Sequence, residues 1–147
     1  NPGDLFVVNG IGAINDAFHR LSVQASFEQK GFSFSSILAP SSEVARTAIL
    51  GNGVQLLSKS FIGHGASVED NVVIGTGSIV EHDCEIEAGS FIGRVAVLCG
   101  GVKIGPGSFI GAGAVITPGT LVPQGSFIKA ASLISHKSQI GQASDGN

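Results

Sequence analysis

The stretch Ile104-Gly105-Pro106-Gly107-Ser108-Phe109-Ile110-Gly111-Ala112-Gly113-Ala114-Val115-Ile116 returns to the same pattern every six residues: an aliphatic anchor, a glycine-rich corner, then a small side chain. Stepping outward from it by six in both directions, the anchors read Leu38, Val44, Leu50, Leu56, Ile62, Val68, Ile74, Val80, Ile86, Ile92, Leu98, Ile104, Ile110, Ile116, Val122, Ile128, Ile134 and Ile140, every one aliphatic. Four residues after an anchor stands a small side chain, as in Ala48, Ser60, Ala66, Ser78, Cys84, Ser90, Ala96, Ser108, Ala114 and Thr120. A helix of about 3.6 residues per turn would scatter anchors spaced by six around its whole circumference. A parallel β-helix keeps them on one side, because three hexads close a triangular coil of eighteen residues whose flat sides are short strands. The pattern therefore predicts an all-β solenoid from Leu38 to Ile140 with anchors and small residues pointing inward, between five and six coils high.

The composition agrees. The chain has 147 residues, 43% of them hydrophobic and 13% charged, with 22 glycines and a net charge of -3. That apolar content separates it from Gly/Pro-rich disordered chains, and the absence of a basic surplus argues against nucleic acid as a partner. Glycines interrupt every apolar run before it could span a bilayer, so no membrane span is expected. Two cysteines, Cys84 and Cys99, are too few for a disulfide framework and fit a reducing, cytoplasmic setting. The chain contains no methionine and opens on Asn1-Pro2, so the natural start is expected to lie outside this sequence.

Ahead of the repeat the pattern changes. Asp4 to Val8 reads as a buried strand ending at Asn9-Gly10-Ile11-Gly12, followed by a helix from about Asn15 to Lys30 with Phe18, Leu21 and Ala25 on one face, stopped by Gly31. Residues 1–37 thus look like the end of a strand-helix-strand unit, 38–140 form the solenoid, and 141–147 are a tail.

Positions eighteen apart stack one strand spacing from each other, which turns the sequence into a surface map. One corner column reads Arg46, His64, His82, Gly100, Pro118 and His136. Glycine beyond His82 leaves a concave gap beside an imidazole, the setting in which a base and a backbone oxyanion donor act together. Asp83 is placed to fix the tautomer of His82. A solvated corner histidine is the simpler alternative for spacing alone. A zinc site within one chain is not expected, because the histidine spacing makes only His64 and His82 neighbours. Cys84 falls in an inward slot and reads as core filler, Cys99 as packing, and the alternating Glu81, Asp83, Glu85 and Glu87 as mostly a solvated face. Outward positions form two apolar columns, Phe61, Ile79, Val97, Val115 and Leu133 on one face and Val73, Phe91, Phe109 and Phe127 on another, whereas the third face is mixed. Two apolar faces of a prism suit a homotrimer.

The segments Val80-Glu81-His82-Asp83-Cys84-Glu85-Ile86, Val97-Leu98-Cys99-Gly100-Gly101-Val102-Lys103-Ile104-Gly105 and Ile110-Gly111-Ala112-Gly113-Ala114-Val115 resemble the sialic-acid O-acetyltransferase family of hexapeptide-repeat sugar acyltransferases, which includes nucleotide-amino-sugar N-acetyltransferases. The resemblance implies a left-handed parallel β-helix and an acetyl-CoA-dependent O- or N-acetyltransferase acting on a bacterial surface sugar or its nucleotide-activated precursor. It places the general base on His82, the orienting carboxylate on Asp83 and the oxyanion amide on Gly100. The pantetheine arm of acetyl-CoA would pass Gly100, Gly101, Gly111 and Ala112 between two subunits, with no metal. Residues 1–37 would be the remnant of a nucleotide-sugar-binding domain. The chain departs from the family pattern at Phe91, where a second histidine is common, at Arg94-Val95, where Pro-Gly is common, and at His64. A scaffold without catalysis is the main alternative, and a metal-dependent hydratase on the same fold a more distant one.

Overall fold

A computed structural model describes residues 5–12 and 17–135. His136 and Ile140 of the columns above lie outside the described residues. Among the described residues seventeen two-residue strands run from Ile37–Leu38 to Leu133–Ile134, and every third strand pairs in parallel with a register of eighteen, as in Phe91 with Phe109 and Leu98 with Ile116. They form three flat sheets of six, six and five strands. The first face carries Ile37–Leu38 through Phe127–Ile128, the second Glu43–Val44 through Leu133–Ile134, and the third Ile49–Leu50 through Leu121–Val122.

Anchors from Leu56 to Ile128 are buried, with Cys84, Ala66, Ala96 and Ala114 filling the slots between them. The expectation that every anchor is buried fails at the ends: Leu38 and Val44 are exposed and Leu50 and Ile134 half-buried. An end coil has a neighbour on one side only, so its interior faces outward there. Three inward serines are satisfied by the coil that follows, Ser78 Oγ donating to the Gly93 carbonyl (2.7 Å), Ser90 Oγ to that of Gly105 (3.0 Å) and Ser108 Oγ to that of Pro123 (3.0 Å).

The corners share one device. From Asn71 onward the third corner residue has positive φ and its N–H donates to a carbonyl of the preceding coil, as Gly101 does to His82. Glycine takes this conformation without a Cβ penalty, and Asn or Asp take it more readily than other side chains. Asn71 and Asp83 occupy it at φ 61° and 58°, whereas the β-branched Val95 is held there at φ 50°.

The N-terminal segment packs against the corner between the third and first faces. Helix α1 spans Ala17–Glu28, ending two residues before the sequence reading, and Val7 pairs in parallel with Phe34 across it, the pairing of a strand-helix-strand unit. Its packed face also differs, because Ala25 is exposed while Arg20 and Gln24 are buried. The helix lies on a groove of corner glycines: a Cβ at Gly89 would strike Leu21, and one at Gly107 would strike the Phe18 ring. Arg20 reaches the Asn71 carbonyl (3.1 Å) and the Asn9 carbonyl (3.3 Å), and burial lowers its pKa. Asn9 also accepts from Gln55 (2.7 Å), so this segment covers the start of the first face, and Val73, read as exposed, is buried.

Candidate active site

The corner between the second and third faces carries Glu81-His82-Asp83-Cys84 in one coil and Cys99-Gly100-Gly101-Val102 in the next. His82 Nδ1 lies 2.9 Å from Asp83 Oδ2, and both side chains are solvent-accessible. A carboxylate can only accept, so the shared proton sits on Nδ1 and Nε2 is left with its lone pair. The positive φ of Asp83 turns its carboxylate back along the corner, where Oδ1 fills the space that a Cβ on Gly65 would need.

The ring of His82 leans the other way, over Gly100. A Cβ at residue 100 would collide with Nε2 before any other atom, and Gly100 is not among the positive-φ glycines. Its glycine is therefore a matter of space: it leaves room for the basic nitrogen. Gly101, at φ 71°, continues the column of Asp83.

Glu81 corrects one part of the sequence reading. It is half-buried, not a solvated carboxylate, and its Oε2 accepts the Gly100 N–H at 3.0 Å. Glu69 makes the same bond to the Ala88 N–H (3.0 Å) at the neighbouring corner, so this clamp between coils is a recurring element of the prism. The amide expected to serve an oxyanion is thus engaged by Glu81. The spacing of nineteen between Glu81 and Gly100, one coil plus one residue, is the signal that could have revealed it.

Gly111 and Ala112 are not brought to His82. They sit at the corner between the first and second faces, where a groove of about 550 Å³ is lined by Leu57, Thr76, Phe91, Arg94, Phe109 and Ala112 among others. Cys84 is fully buried, with Sγ 3.2 Å from the Cys99 carbonyl, and burial pushes its thiol up to about 11. Burial also raises the Cys99 thiol. Neither cysteine is an activated nucleophile. Among the described residues no group of three or more His, Cys, Asp or Glu side chains could hold a metal ion, and no helix is long and apolar enough to cross a membrane.

The model of the bacterial transferase hexapeptide (six repeats) family matches residues 83–118. The acetyltransferase domain of PglB from Neisseria gonorrhoeae FA1090, solved in complex with acetyl coenzyme A, is 27% identical with a TM-score of 0.84, over 92% of this chain and 66% of that one. PerB from Caulobacter crescentus, solved with CoA and GDP-perosamine, is 30% identical with a TM-score of 0.80, over 83% of this chain and 59% of that one. WeeI from Acinetobacter baumannii AYE shares the fold at 22% identity and a TM-score of 0.62, over 88% of this chain and 68% of that one. No curated protein sequence matches significantly. The chain carries hexapeptide repeats and its structural neighbours include acetyltransferases, and it spans about two-thirds or less of the PglB domain and of PerB.

Proposed function

We propose that this protein is an acetyl-CoA-dependent acetyltransferase that acetylates a hydroxyl or amine of a sugar or nucleotide-activated amino sugar by direct transfer. The observation that carries the reading is the His82 imidazole, held by Asp83 through Nδ1 with Nε2 over the gap at Gly100. It stands on a fold whose relatives were solved with acetyl coenzyme A and with CoA plus a nucleotide sugar.

In the proposed reaction Nε2 of His82 takes the proton of the acceptor as its oxygen or nitrogen attacks the thioester carbonyl. Asp83 supports the imidazolium that results. The tetrahedral oxyanion is held by the Gly100 N–H, which passes to it from the Glu81 carboxylate. Collapse breaks the carbon–sulfur bond, and the imidazolium returns its proton to the departing CoA thiolate.

Acetyl-CoA would meet Gly100 and Gly101 on one subunit and Gly111 and Ala112 on another, since one chain carries these pairs on different corners. A homotrimer supplies that arrangement, and residues 1–37 would then be the end of a unit that holds the nucleotide part of the acceptor, in the cytoplasm. The test is thiol release from acetyl-CoA over a panel of amino sugars and their UDP and GDP conjugates, on this chain and on a version extended at its N-terminus. No release and no acetyl-CoA binding in either would leave a scaffold.

A further inference from the structure

His64 and His82 occupy the same corner column one coil apart, yet different atoms hold their rings. His82 Nδ1 faces a carboxylate, whereas His64 Nδ1 lies 3.2 Å from the Thr47 hydroxyl of the preceding coil. That hydroxyl already accepts the Gly65 N–H at 3.0 Å. Its own proton is therefore the one best placed to complete the contact, and a hydroxyl that accepts one bond donates the next more strongly. A neutral imidazole that accepts at Nδ1 carries its hydrogen on Nε2.

We infer that the two stacked histidines are held in opposite tautomers, so that His82 presents a lone pair and His64 a hydrogen-bond donor to one acceptor molecule lying along the corner. This rests on the acetyltransferase reading above and names what the acceptor must offer. His82 leans toward Gly100 and the later coils, while His64 is tethered to Thr47 in the earlier one. With about 4.8 Å per coil, the two Nε2 atoms are separated by roughly one to two coil spacings. A single pyranose spans that interval, with its nucleophilic group at His82 and an oxygen acceptor, hydroxyl or ring-linked, at His64. The carboxylate of Asp83 lies over Gly65 beside this column and disfavours an anion at this point, so a sugar ring bearing hydroxyl or amino groups and no acidic group is the class selected. His64 is accordingly a specificity-determining residue and takes no proton in the reaction.

Two measurements decide it. Long-range ¹⁵N–¹H spectra of the histidine side chains distinguish the tautomers directly: hydrogen on Nδ1 is expected for His82 and on Nε2 for His64, and T47V should mix the forms at His64 alone. Hydrogen on Nδ1 at His64 in the native protein overturns the inference. Kinetics test the role: H64A should raise the KM for the sugar roughly tenfold, the worth of one hydrogen bond, with kcat and the KM for acetyl-CoA unchanged. An unchanged sugar KM, or a loss confined to kcat, overturns it as well. If the native protein releases no thiol with any sugar, the acetyltransferase reading fails and the donor role falls with it, while the spectra still decide the tautomer pair.

Discussion

A hexad position prescribes where a side chain points, and the chemistry at that position depends on what the next coil offers it. Gly100 illustrates this: its missing Cβ is the space occupied by Nε2 of His82. Gly100→Ala should fold, since the colliding atoms end an exposed side chain, but, if His82 is the base proposed above, displace it and lower kcat by at least tenfold. A circular dichroism melt together with initial rates separates those two effects. His82→Ala should lower turnover by about 10²- to 10⁴-fold and leave acetyl-CoA affinity nearly intact. Asp83→Asn should cost less, because it disturbs orientation and leaves the imidazole in place. Equal losses at His64 and His82, measured by thiol release, would mean that the histidine column is not a catalytic site. The His82, Asp83 and Gly100 grouping was legible in the sequence because a register of eighteen is rigid. The role of Glu81 was not, since alternating carboxylates look the same whether solvated or bound to an amide one coil away. That Gly111 and Ala112 stand apart from Gly100 was available from arithmetic: Ala112 is two hexads on, hence another corner.

Within one coil the strands are two residues long, so stability rests on stacking and on the backbone each corner can adopt. Ile92→Asp would place a charge in a core where its neighbours Ile74 and Ile110 are fully buried, and the protein should fail to accumulate in soluble form. Val95 offers the opposite case. A β-branched residue in the left-handed region costs about 1–3 kcal/mol, part of which glycine would recover, so Val95→Gly should raise the unfolding free energy by about 1 kcal/mol in a denaturant titration. The helix was only half legible. Its existence followed from the spacing of Phe18 and Leu21, but its polar contacts depend on carbonyls exposed at the corner beneath it. Arg20 is buried because it reaches the Asn71 carbonyl there, and Gln24 because its Nε2 donates to Glu28 within the helix, which no hydrophobic pattern announces.

At the scale of the whole molecule, the first and second faces remain apolar at their outer positions. Phe91, Phe109 and Phe127 stack in a ladder with ring centroids 5.5 and 5.0 Å apart, and Phe61, Ile79 and Leu133 are exposed on the second face. Such surface argues for self-association, and light scattering at micromolar concentration should give three times the chain mass. Phe109→Glu should reduce it to the chain mass, and turnover should vanish with the trimer because the proposed cofactor path crosses between subunits. A monomeric native protein would remove that path. The solenoid was legible in the sequence because its period is strict; the covering of Val73 was not, since it depends on how the N-terminal segment folds back.

That segment also limits how the protein could lengthen. A repeat of identical coils can in principle grow by duplicating eighteen residues anywhere, since each coil needs only a neighbour above and below. Here α1 touches one corner at several heights, Gln24 near Gly53, Arg20 at Asn71, Leu21 at Gly89 and Phe18 at Gly107 and Gly125. An extra coil inserted between Gly53 and Gly125 would carry some of these seats away from a helix that cannot stretch, whereas one added after Ile128 would leave all of them in place. The helix therefore measures the prism, confining duplication to the end of the stack that it does not reach.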